Sequence, residues 1–107
     1  MNDSVTVIQF SNSNNDQIIF YINNLNPNSA NFNVINKKDI NTNDAFISIK
    51  ARNTSSINKN NYQSRAGTIH IRYEDSTKTW YLNLCNQAII DILSLYNYEF
   101  DGYFVFK

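Results

Sequence analysis

The chain has 107 residues, and its nine Lys plus Arg are balanced by nine Asp plus Glu. That length supports a single domain spanning residues 1–107 rather than two cores, and the zero net charge excludes a global field drawing the protein to nucleic acid or an anionic membrane. A single Cys rules out an intrachain disulfide framework, and with no cationic leader or long apolar run this predicts a cytoplasmic chain with no membrane partner.

In chain order, Val5 to Phe10 alternates and predicts a short strand. Ser11-Asn12-Ser13-Asn14 then offers N-cap residues ahead of Ile18, Ile19, Ile22 and Leu25, whose spacing predicts a helix over about residues 14–24. A β-prone reading of Ile18 to Ile22 competes with it. Pro27, flanked by Asn26 and Asn28, ends that element, and Ala30 to Ile35 reads as a further strand. Ala45 to Arg52 alternates clearly. Residues 53–64 show no periodicity and are expected to form a long polar loop.

The strongest local pattern follows. Thr68 to Tyr73 and Thr79 to Cys85 both alternate, and the turn-forming residues Glu74 to Lys78 between them predict a hairpin. Asn86 reads as the N-cap of a second helix, with Ala88, Ile89, Ile92, Leu93 and Tyr96 on one stripe. Asp101-Gly102 reads as a turn before a terminal strand, Tyr103 to Phe106. The expected fold is α+β in the order β-α-β-β-β-β-α-β, a predominantly antiparallel sheet with two helices packed on one face.

Strand alternation divides side chains between two faces. With Ala45, Ile47 and Ile49, then Ile69 and Ile71, then Trp80, Leu82 and Leu84 turned inward, neighbouring strands would present Lys50, Arg52, His70, Arg72 and Tyr81 on one exposed face. The segment 50–72, which also contains Lys59 and Arg65, has no acidic residue. Such a surface suits a protein partner that meets Arg and aromatic anchors, or single-stranded nucleic acid through phosphate contacts and stacking. Tyr62 is the expected anchor of the 53–64 loop. Together these make Lys50, Arg52, Tyr62, Arg65, His70, Arg72 and Tyr81 the candidate binding residues.

Catalytic readings are thin. His70 is the sole histidine; with Arg72 and Tyr81 it could support a metal-independent ribonuclease, but no His pair, Gly-rich phosphate loop or zinc spacing is present and no cofactor is implied. Cys85 reads as a small buried or half-buried hydrophobe. The twenty asparagines are most simply tolerated loop residues. The leading expectation is a small noncatalytic interaction protein, an inhibitor or immunity factor that occludes a nucleic-acid-processing partner. RNA or single-stranded DNA binding and ribonuclease activity are the alternatives. Edge pairing through Tyr103 to Phe106 would give a homodimer.

Overall fold

A computed structural model of the chain describes residues 5–13, 15–28, 31–37, 41, 43–51 and 60–107. These residues form seven strands, β1 Val5–Ser11, β2 Gln17–Asn23, β3 Asn31–Val34, β4 Asp44–Ala51, β5 Asn60–Glu74, β6 Thr79–Asp91 and β7 Asn97–Phe106, and no helix occurs among them. The fold is therefore all-β. The α+β expectation fails at both predicted helices.

The first failure is β2. It pairs antiparallel with β1 on one side and β4 on the other, so both of its edges are used. Phe20 and Ile22 enter the main core while Ile19 is buried on the opposite face. A strand buried on both faces shows an unbroken apolar run, which periodicity cannot separate from a buried helix. Of the residues read as a cap, Ser11 ends β1 and Asn12 and Ser13 belong to the β1–β2 connection, where Asn12 Oδ1 accepts the Asp16 backbone N–H at 3.0 Å and Asn12 Nδ2 donates to Asp16 Oδ2 at 3.0 Å; Asn14 lies outside the described residues.

The second failure is β6, which continues to Asp91 instead of yielding to a helix at Asn86. Leu84 faces Gly102 and Gln87 faces Phe100, so β6 spends one residue more than β7 between those pairs. This bulge shifts the inward phase from Trp80, Leu82 and Leu84 to Gln87, Ile89 and Asp91. Asn86 sits there at φ 50°, with its N–H bonded to Asp101 Oδ1 at 2.8 Å. Asp101-Gly102 is accordingly mid-strand and not a turn. Cys85, expected to be at least half buried, is exposed beside the bulge.

The sheet order is β1-β2-β4-β3-β5-β6-β7. Its unusual feature is a fork. The first part of β5 pairs with β4, from Asn60 opposite Ala51 to Gln63 opposite Ser48, whereas its later part, Gly67 to His70, pairs with β3. Thus Asn60 to Ser64, predicted as loop, are strand; residues 53–59 of that predicted loop lie outside the described residues. Short β3, parallel to β4, is wedged into the opening. Fully buried Ser64 sits at the branch and closes it: its hydroxyl donates to the Ile35 carbonyl at 2.6 Å and accepts the Ile47 N–H at 3.1 Å. Two backbone groups that the diverging strands leave unpaired are satisfied in this way.

The sheet curls around one core of Ile8, Phe20, Ile22, Phe32, Val34, Ala45, Ile47, Ile69, Ile71, Leu82 and Leu84. Phe10 of β1 lies 5.1 Å, centroid to centroid, from Phe104 of β7, so rings bridge the two ends of the sheet. Among the described residues no strand pairing closes the curl, and β1 and β7 are its edges. Inside the curl, Gly67 at φ 134° lets the Gln87 amide pass; a Cβ there would stand 2.7 Å from Gln87 Oε1. Elsewhere asparagine takes the glycine role. Asn15, Asn24, Asn43 and Asn86 all have φ between 50° and 69°, which gives part of the Asn-rich composition a conformational use.

Candidate functional site

The β5–β6 hairpin forms as expected, with Glu74 opposite Thr79, Arg72 opposite Tyr81 and His70 opposite Asn83. Its outward face carries His70, Arg72, Tyr81 and Asn83, joined by Tyr103 from β7, and these five line a shallow depression of about 210 Å³ together with the edge of Ile71. The Arg72 guanidinium carbon lies 4.0 Å from the Tyr81 ring centroid. Tyr81 in turn stacks beside Tyr103 at 6.2 Å and 27°. Three strands therefore hold an Arg-Tyr-Tyr ladder across the open sheet.

This face is less cationic than the sequence suggested. Glu74 Oε1 accepts the Tyr81 hydroxyl at 3.3 Å, bringing a carboxylate next to the ladder. The His70 Nδ1 lies 2.7 Å from Asn31 Oδ1, so the ring is steered by a neutral amide and not by a carboxylate. Lys50 is not part of the group. It stands level with Asn61, nine residues along β5 from His70 and thus roughly 25–30 Å away by strand rise. Arg65 is exposed but is the extra residue of a bulge between Ser64 and Ala66, which reverses the phase of everything before it. Tyr62 is half-buried and packs edge-on against Tyr98 at 5.7 Å, so it braces the sheet instead of anchoring a loop. Arg52 lies outside the described residues.

A second surface appears where the predicted helix was. Between β6 and β7 the chain turns through Ile92-Leu93-Ser94-Leu95-Tyr96, whose four large apolar side chains are between 47% and 82% exposed. Every backbone N–H of this turn is nevertheless bonded. Asp91 Oδ1 accepts those of Leu93 at 2.9 Å and Ser94 at 3.2 Å; the Asp91 carbonyl accepts that of Leu95 at 2.8 Å. The Ile92 N–H reaches the Asn61 carbonyl at 3.0 Å and the Tyr96 N–H reaches Ser94 Oγ at 3.3 Å. The Leu93 and Ser94 amides hold the Asp91 carboxyl below its ordinary value. The sequence reading missed this tip because an apolar stripe is normally a core stripe. The available signal was an Asp placed to cap the two amides that follow it.

Among the described residues no group of three His, Cys, Asp or Glu side chains is arranged to hold a metal ion, and no helix is long and apolar enough to cross a membrane. No protein-family model, curated protein or solved structure matches the chain.

Proposed function

We propose that this protein is a small noncatalytic interaction domain that binds a protein partner by inserting the Ile92–Tyr96 tip into an apolar cleft and covering the surface around it. The observation that supports this reading is the pairing of exposed apolar side chains with a fully bonded set of backbone N–H groups. A loop entering an apolar environment is penalised for each polar group it strips of water without replacement. This tip has its backbone N–H donors satisfied beforehand, and its turn is held by Asp91, so little ordering remains to oppose binding. It also contains no charge.

Nucleic-acid binding through the sheet face has less support. One Arg already stacked on Tyr81, with Glu74 alongside, offers few phosphate contacts. The ribonuclease reading likewise gains no second acid–base group next to His70. A steric inhibitor fits the tip geometry, since occupying a cleft blocks it.

The experiment is an unbiased native pull-down at moderate and high salt that scores proteins and nucleic acids together, comparing the natural chain with the Leu93→Ser, Leu95→Ser double variant and with Arg72→Ala. The expected result is a protein retained at high salt, lost from the tip variant and kept by Arg72→Ala. Nucleic acid retained only at low salt and lost with Arg72→Ala, or a partner indifferent to the tip, would overturn the proposal. Because both leucines are exposed, the double variant should keep its stability within about 0.5 kcal/mol.

A further inference from the structure

The edge strand β7 presents a second kind of surface, independent of the tip. Among the described residues its ten residues pair only with β6, and no described strand lies along the other row of N–H and C=O groups. Edges of this length are commonly blunted by Pro, bulges or very short pairing. None of these applies to β7: the β6–β7 bulge has its extra residue on β6, so β7 itself runs regularly.

We propose that β7 pairs antiparallel with β7 of a second copy of this chain, about a two-fold axis at Tyr103. The register follows from face and charge. Inward Phe100, Phe104 and Phe106 must meet inward residues of the second copy, which restricts the axis to a residue position and excludes one-residue slips. With the axis at Tyr103, Glu99 stands opposite Lys107 of the second copy, and the same pair recurs by symmetry.

Neighbouring choices fit less well. An axis at Phe104 shortens the overlap and sets Lys107 against Asp101, whose carboxylate is already bonded to the Asn86 N–H at 2.8 Å. An axis at Gly102 pairs neither acid with Lys107. The other edge, β1, has the sequence VTVIQFS and carries no charge to set a register. Pairing β1 of one copy with β7 of another would also be head-to-tail and would not close by a two-fold. Self-pairing of β7 closes, and it joins the Arg72-Tyr81-Tyr103 ladders of the two copies into one.

Sedimentation velocity of the natural chain from about 1 to 200 μM should show a concentration-dependent dimer. Glu99→Lys and Lys107→Glu should each weaken it about tenfold by opposing like charges at two symmetric places, and the double exchange should restore it. Both residues are exposed, so their exchange leaves the fold intact. In a Cys85→Ser background, Tyr103→Cys should oxidise to a disulfide-linked dimer while Val105→Cys should not, because only residues at the axis bring their Cβ atoms close enough. A monomer throughout that range, single variants without effect, no restoration by the double exchange, or faster linkage through residue 105 would each overturn the proposal. The pull-down on the Ile92–Tyr96 tip is untouched by any of these outcomes.

Discussion

Strand β6 begins and ends at turns of opposite character. At its start, Asp75-Ser76-Thr77-Lys78 is polar and exposed, with Lys78 at φ 57° and its N–H bonded to the Asp75 carbonyl at 3.3 Å. At its end, Ile92-Leu93-Ser94-Leu95-Tyr96 is apolar and exposed, with Leu95 at φ 63°. Both turns use an aspartate and a left-handed residue. Turn geometry therefore explains the aspartates and the positive φ values but not the apolar side chains, which the first turn does without. Left-handed backbone is costly for a leucine, and Asn or Gly would serve better there. That a leucine stays at this position, projecting into solvent, is what separates the second turn from an ordinary connection.

The two ends also differ in what supports them. The polar turn sits on the regular part of the hairpin, whereas the apolar tip stands beyond two bulges and rests on the forked part of β5. Ser64 faces Ile89 across that part and ties it to β3 and β4. Removing its hydroxyl by Ser64→Ala strands a buried N–H and a part-buried carbonyl, which should cost about 2 kcal/mol in urea or thermal unfolding. Native-state hydrogen exchange should locate the damage, with amides of the distal end, including Ile92, accelerating more than those of Ile71 and Leu82. Equal acceleration at both ends would show that the hairpin behaves as one unit and would remove the contrast.

A smaller effect separates the ends by pH. Because the Leu93 and Ser94 amides lower the folded-state pKa of Asp91 below the ordinary value of 3.8, its charge stabilises the fold at pH values above that ordinary value. The contribution is lost as pH falls through the lower, folded-state pKa. Asp91→Asn keeps an acceptor oxygen but has no charge to titrate. The natural chain should therefore be the more stable of the two at pH 7, and the difference should shrink as pH falls below 3.8, as read from paired denaturation curves. A difference that is flat down to acid would mean that the carboxylate charge contributes nothing to the tip.

These contrasts also explain what could be read from residues alone. The hairpin from Thr68 to Cys85 was legible because period-two alternation and turn chemistry agree there, and with it the outward placing of His70, Arg72 and Tyr81. Lys50 was misplaced, because alternation gives a side chain's face but not how far neighbouring strands are offset, and the bulge at Arg65 reverses the phase between them. β2 was read as helix because burial on both faces erases alternation. The second helix failed for a different reason: Ala88 and Ile89 close strand β6 whereas Ile92, Leu93 and Tyr96 belong to the exposed turn after it, and a strand end followed by an apolar tip imitates a helical stripe. Asn86 reinforced the mistake, since the short polar side chain that suits a helix cap also tolerates a left-handed bulge. The fork and the β3 insertion depend on contacts distant in sequence and left no local trace.

The smallest expected effect lies at the polar turn. Lys78 Nζ stands 3.0 Å from Asp75 Oδ1, but the two side chains are 71% and 85% exposed. Water and salt screen such a pair, and ordering two flexible side chains offsets most of the Coulomb gain. Lys78→Ala should therefore change stability by less than about 0.5 kcal/mol. Lys78→Gly tests the backbone instead: at φ 57° a glycine relieves left-handed strain, so that variant should match or exceed the natural chain despite losing the same ion pair. If both variants lose stability equally in thermal unfolding, the ion pair outweighs the backbone, and the polar turn is held by its side chains after all. If glycine restores what alanine loses, the turn is held by its backbone conformation, and the charges around it serve solubility, the property that the apolar tip at the other end of β6 gives up.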